Sequence, residues 1–482
     1  MRIIWTLLLA AVLLASDPAL AARSDWRQMT VGHFHLYSTM RDSKTRDVAR
    51  QLQAFENTVG QLLTGDDRLP DVPTIIYILG GDDFLKYGAG RPGAVGVFYE
   101  RPFANVIAIN GDVSFDIVRM AIFHEYTHFI QRSSSTRKMP PWYVEGYAEL
   151  FSGFNMKGDK IVMGGLPDGV HVDMSQWIPM EKLLAVKQTD PEYRAERLAP
   201  QFYGESWALV HMLLFDDKSL RGPTDNYLAN LDLGVLEPDA FKQAFPFDKR
   251  GLDEAVHKLI KGQVIHVLSK TYAQGIQIDD ALISPMTPAQ ADAQMTRMAF
   301  MIGWQKPLIG PLAAAALKEN PNDDGVRALN ARIAARDGAP PDISSLADRL
   351  AQGGSNDAPL RIDVAATLLT GTVSKEAAGQ AYSILDDLAQ MGAPPLEAIV
   401  LWAAAGLQSG VDPAKTLMAL KGGSARAPHN TQLLACLANA HERLREGPQA
   451  REYYDRIILV SDNPEERLWA QKQADSVRLH GD

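Results

Sequence analysis

One cysteine, Cys436, occurs in the whole chain, so no disulfide can close within it. Stability must come from packed cores and, locally, from metal. Cys436 sits in an alanine- and leucine-rich helical pattern and reads as a small core residue rather than a nucleophile. Positive charge is also short. Lys and Arg number 48 against 58 Asp and Glu, a formal net charge of −10, and no basic cluster stands out. Nucleic acid is therefore not expected as a partner, and the acidity reads as solvated surface. Long apolar runs are nearly absent. The one exception covers residues 3–15, and thirteen residues are too few for a bilayer span of about 20. Met1-Arg2 precedes it, and the small residues Ala19-Leu20-Ala21 and Ala22 follow. This reads as a secretory signal peptide over residues 1–22, and it predicts an exported protein, periplasmic or secreted, with no transmembrane segment after its removal. The glycine-rich piece from Gly88 to Gly96 has neither a phosphate-loop nor a dinucleotide pattern and reads as loop.

What is present centres on Phe123-His124-Glu125-Tyr126-Thr127-His128 and, with sixteen residues between, on Glu145-Gly146-Tyr147-Ala148-Glu149. A hydrolytic zinc site needs three protein ligands and one position for water. His124 and His128 are four apart, so a helix projects both imidazoles from one face, where they can grip one ion. Glu125 sits about 100° round from His124, beside the open side of the metal, where it can take a proton from the water there. Glu145 supplies a third ligand from a second helix. Glu149, one turn later on the same face, suits the part of a carboxylate that accepts the other N–H of a ligating histidine. The bland alternative is a buried helix with two satisfied histidines.

At these residues the chain resembles the gluzincin metallopeptidases, in particular the peptidase-MA-like group, over residues 30–215. The resemblance implies that His124, His128 and Glu145 bind Zn²⁺, that Glu125 is the general base, and that Glu149 orients His124. The G-x-M-E-N segment of the aminopeptidase branch is missing; the nearest stretch, Gly96-Val97-Phe98-Tyr99-Glu100, is a poor match. A Tyr-x-x-Ser-x-x-Leu-Val helix similar to one that follows the metal site in this group occurs at Tyr203 to Val210. It implies Tyr203 as donor to the developing oxyanion. His211 is the runner-up, and Tyr143 and Tyr147 stay open.

Around this centre, residues 34–38 alternate like a short edge strand carrying His35, with His33 just before it. Residues 42–63 have helical spacing at Val48, Leu52, Phe55 and Val59. Residues 73–79 form a β-branched apolar run typical of a buried strand. Val106-Ile107-Ala108-Ile109-Asn110 reads as the last strand before the metal helix and, by the resemblance, as an edge that pairs with extended substrate backbone. Asp112 or Ser114 is positioned to cap that helix. Residues 155–186 read as irregular, with an exposed His171, and residues 201–214 as an amphipathic helix. From about residue 289 the composition turns to Ala- and Leu-rich helical patterns. Leu434, Leu437-Ala438, His441, Ala450, Tyr454 and Ile457 match one tetratricopeptide repeat, and residues 313–333 are a more degenerate match. This half resembles a worn tetratricopeptide array, whose concave face binds peptides or proteins, or else a plain helical bundle.

The expected fold class is α+β. A zincin-type metallopeptidase domain over 23–284, a small mixed sheet plus active-site helices, precedes an all-α tetratricopeptide-like solenoid over 285–482. The expected function is zinc-dependent hydrolysis of peptide bonds, with a peptide or protein substrate and a protein partner on the repeats. The alternative is a non-catalytic protein-binding scaffold with a vestigial or structural metal site.

Overall fold

The run Thr74–Leu79, β3, shows how the sheet is built: its alternate residues feed two different cores. Ile76 and Ile78, with Ile107 and Ile109 of the neighbouring strand, join one apolar cluster, while Tyr77 and Leu79, with Val106 and Ala108, join another. Successive strand side chains point to opposite faces, so a continuous apolar run marks a strand covered on both sides. The computed structural model of the chain describes residues 25–32, 34–63, 72–89, 95–134, 139–167, 170–195, 197–262, 265–271, 283–303, 306–339, 342–461 and 463–479. The expected signal peptide and His33 lie outside them.

The chain begins with β1 (Arg27–Val31), β2 (Phe34–Ser38) and α1 (Asp42–Leu63), followed by β3. A short α2 (Gly81–Asp83) runs into a π-turn before β4 (Gly96–Glu100) and β5 (Asn105–Asn110). Then come α3 (Phe115–Ser134), α4 (Pro141–Ser152), the hairpin β6 (Asn155–Lys157) and β7 (Lys160–Met163), α5 (Met180–Ala185), α6 (Pro191–Arg194) and α7 (Ala199–His211). Helices α8 (Arg221–Asp232), α9 (Glu237–Ala244) and α10 (Lys249–Gly262) lead to β8 (Leu268–Thr271) and β9 (Ile283–Pro285). The remainder is helical: α11 (Pro288–Ile302), α12 (Lys306–Glu319), α13 (Asp324–Arg336), α14 (Ser344–Ala351), α15 (Ala358–Leu368), α16 (Lys375–Ala389), α17 (Leu396–Ser409), α18 (Ala414–Arg426), α19 (Thr431–Arg443), α20 (Gly447–Val460) and α21 (Pro464–Leu479). The fold is thus α+β, with a small mixed sheet and many helices. No helix among the described residues is long and apolar enough to cross a membrane.

The main sheet has the order β4-β5-β3-β2-β1-β9. β2, β3 and β5 are parallel; β4 runs antiparallel to β5, and β1 antiparallel to both β2 and β9. Two expectations about edges are corrected here. β5 lies inside the sheet, buried along most of its length, and β4 is the edge beside it. The two-sided apolar run Val106–Ile109 is the signature of an interior strand, whereas β4 is only half-buried. β2 is interior as well, flanked by β1 and β3, so His35 is half-buried against Thr30, 3.2 Å away, and burial lowers its pKa.

One face of the sheet carries α1 and α3, where Phe55 stacks on Phe123 with ring centroids 4.4 Å apart. The other face carries α11 to α13, whose Met295, Met298, Ile302, Ile309 and Leu329 pack with Tyr77 and Trp26. Sequence position 284/285, the expected domain junction, falls inside β9, a strand of this sheet. The β4–β5 turn is held from the helical half: Arg101 donates to the carbonyl of Ile302, and Asn430 to that of Pro102. Within the helical half a buried ion network joins four helices. Asp363 of α15 accepts from Arg297 of α11 at 2.5 Å and from Arg332 of α13 at 2.9 Å, and Arg332 also reaches Glu397 of α17. The residues matched to one repeat span α19 and α20, with Leu434, Ala438, Tyr454 and Ile457 in one apolar cluster. Cys436 packs against the main apolar cluster instead, with its thiol near the carbonyl of Val400, and burial pushes that thiol up to about 12.

Candidate metal centre

The centre rests on two antiparallel helices pinned by their apolar faces. Ser114 caps α3 by accepting from the amide of Ile117 at 3.4 Å, while Asp112 instead accepts from the amide of Gly81. Val118, Ile122, Phe123, Tyr126, Phe129 and Ile130 bury one side of α3. The other side, Ile117, Met120, Ala121, His124, Glu125 and His128, stays partly open. That spacing of three and four is one helical stripe. Pro141 begins α4, where a proline costs no hydrogen bond. Gly146 lets α7 approach α4 closely: a Cβ there would lie 2.2 Å from the carbonyl oxygen of Ser206.

His124, His128 and Glu145 converge, the group of potential ligands found among the described residues. The two Nε2 atoms are 3.1 Å apart, and each lies 3.5 Å from Oε2 of Glu145. Ligands about 2.0–2.1 Å from one tetrahedral ion lie about 3.3 Å from each other. The triangle therefore has the size of one shared ion, and two imidazoles with a carboxylate form a donor set suited to zinc. Oε1 of Glu149 stands 3.4 Å from Nδ1 of His124, on the side away from Glu145, and its other oxygen accepts from Ser152 at 3.3 Å.

Within the centre, His124 and Glu145 shift one another's pKa. Burial disfavours a charged His124, but Glu149, hydrogen bonds to Glu145 and Glu149, and the charge of Glu125 outweigh it and hold its pKa well above the ordinary value. Burial would raise the Glu145 carboxyl, yet its hydrogen bonds to His124 and His128 hold it far below the usual carboxylate range. A bound metal ion supplies the same positive charge at the same point.

Tyr203 reaches this centre, its ring centroid 6.5 Å from that of His124. Burial and then Glu145, Glu149 and Glu125 raise its pKa, so it keeps its proton as a donor. The other candidates are not brought in. His211 is fully buried with Nε2 2.8 Å from the carbonyl of His266 and its ring against Phe215. Tyr143 and Tyr147 lie two residues from Glu145 along the helix, about 200° round, and pack on each other with centroids 5.5 Å apart. Helix α7 is buried on nearly all sides rather than amphipathic, because it threads between α4 and α10. His171 is exposed.

One residue escaped the sequence reading. Tyr193, on the single turn α6, has its hydroxyl 2.6 Å from Oε1 of Glu145, and its ring lies 6.1 Å from that of Tyr203. Burial and Glu145 raise its pKa, so it donates to that carboxylate. Nothing local in Asp190-Pro191-Glu192-Tyr193 ties it to a glutamate 48 residues earlier. Compared with known proteins, the chain matches no protein-family model, no curated protein and no solved structure.

Proposed function

We propose that the chain is a zinc-dependent hydrolase of peptide bonds, a metallopeptidase of gluzincin type with a tetratricopeptide-like helical half, working in an exported compartment. The observation that carries this reading is the 3.1, 3.5 and 3.5 Å triangle of His124, His128 and Glu145, with Glu125 on the same open helical stripe. A bound zinc ion supplies Lewis acidity, which polarises a carbonyl and makes water nucleophilic at neutral pH. Glu125 takes the proton of the attacking water and passes it to the leaving amine. Glu149 holds the ring of His124, and Tyr193 holds the carboxylate of Glu145. Tyr203 donates to the oxygen that gains charge as the carbonyl is attacked.

The test is a cleavage profile on a mixed peptide library, with metal quantified in wild type and in Glu125→Gln. Bound zinc in both proteins, with hydrolysis lost by about 10²-fold or more in the variant, supports the reading. Equal hydrolysis by both removes Glu125 from its role, and zinc without any cleavage favours the non-catalytic scaffold.

A further inference from the structure

Helices α3 and α4 form an antiparallel ladder whose rungs repeat every four residues. His128 meets Glu145, and His124 meets Glu149. The next rung is Met120 with Gly153, and both line a cavity of about 430 Å³. Met120 belongs to the same partly open stripe of α3 as His124, one turn away. Four residues rise about 6 Å along the axis, a distance that about two residues of extended peptide cover. The cavity therefore lies one rung along α3 from the metal centre, within reach of a peptide bound there, and its size suits a side chain or chain end rather than a lone ion.

Its charge is opposite to that of the molecule. The described lining residues include Arg119, Lys157 and Lys160 and no Asp or Glu, in a chain of net charge −10. Arg119 is buried, donates to the carbonyl of Phe154, and lies 3.6 Å from Asp116. Lys157 and Lys160 are exposed and stand directly opposite each other across the β6–β7 pair. Like charges in that position repel, and an anion held between them relieves the repulsion. Leu166 and Val162 supply an apolar wall for the stem of a side chain.

We propose that this cavity receives a carboxylate of the substrate, from an acidic side chain or a free C-terminus about two residues from the bond cut. The proposal rests on the hydrolase reading above. Its test uses the zinc-loaded full chain and peptides of one sequence with glutamate, glutamine or lysine at each flanking position, each made with a free and with an amidated C-terminus. A KM about tenfold lower for glutamate at one position assigns the carboxylate to a side chain, and the same drop for the free terminus assigns it to the chain end. Lys157→Ala with Lys160→Ala brings that ratio close to one, and Lys157→Glu with Lys160→Glu inverts it in favour of lysine at the same position. Cleavage with no carboxylate preference, or a preference that survives both double variants, overturns the proposal. If no peptide is cut, the hydrolase reading fails, and calorimetric titration of the same peptides into Glu125→Gln still reads the cavity. Binding about tenfold tighter for the carboxylate-bearing peptide, lost in the lysine variants, then supports the subsite, and equal binding overturns it.

Discussion

The hydroxyl of Tyr193 lies 2.6 Å from Oε1 of Glu145, while Oε2 of the same carboxylate faces both histidine Nε2 atoms at 3.5 Å. One oxygen is fixed by a phenol and the other faces the histidine pair. A carboxylate held this way has little rotational freedom to lose when metal binds, which is why outer partners of metal ligands matter to affinity.

Tyr193→Phe should therefore weaken zinc binding about 10- to 100-fold. Competition against a chromogenic chelator measures it, and an unchanged far-ultraviolet circular dichroism spectrum shows that the fold is kept. Zinc affinity equal to wild type would mean that the hydroxyl plays no part in holding Glu145.

Gly146→Ala should destabilise the chain by about 1–3 kcal/mol or more, because the new Cβ meets the Ser206 carbonyl at 2.2 Å and helix α7 must shift. Chemical denaturation reads the loss. Trimming Ser206 to glycine does not restore stability, since the clash is with backbone. A stability equal to wild type would show that α4 and α7 can separate at no cost.

The pH dependence of stability should carry the mark of Glu205. This residue is fully buried on α7, accepting from the amide of Ile178 at 2.8 Å and from Gln201 at 2.6 Å, and burial pushes its carboxyl from 4.5 up to about 7. Its folded-state pKa is raised, so its contribution is complete below pH 4.5 and is lost as pH rises through 7. Each unit of difference corresponds to about 1.4 kcal/mol. Glu205→Gln should match wild type near pH 4 and exceed it near pH 8. Parallel stability curves for the two proteins would remove this residue from the account.

Asp363→Ala should cost about 3–5 kcal/mol, since it leaves Arg297 and Arg332 buried without their shared carboxylate. Replacing all three by apolar residues of similar volume should recover much of that loss. Thermal denaturation of the single and triple variants measures both effects, and a single variant as stable as wild type would show that the network is dispensable.

Local spacing was enough for much of this molecule. The interval His124–His128 sets two imidazoles on one face of any helix, and Glu145–Glu149 does the same for two carboxylates, whatever surrounds them. The apolar periodicity of α1 and the two-proline start of α4 are legible for the same reason: the forces involved act within a turn or two of the chain. The strand content of Thr74–Leu79 and Asn105–Asn110 is equally local.

Edges, partners and neighbours are not local. Whether Asn105–Asn110 or Gly96–Glu100 borders the sheet depends on which strand finds a second partner, and β3 claims β5. Helix α7 has polar residues at Gln201, Glu205, Ser206 and His211, a pattern that looks solvent-facing until α4, α5 and α10 enclose it. Strands β8 and β9 are too short to announce themselves, and they exist because β7 and β1 offer open edges. Tyr193 and Glu145 meet only because α6 folds back over α4, and Met120 and Gly153 share a cavity only because α3 and α4 run antiparallel. Residue types and their spacing settle which side chains are able to bind a metal. Packing between segments far apart in the chain settles which groups surround it, because burial and close approach are properties of the whole fold.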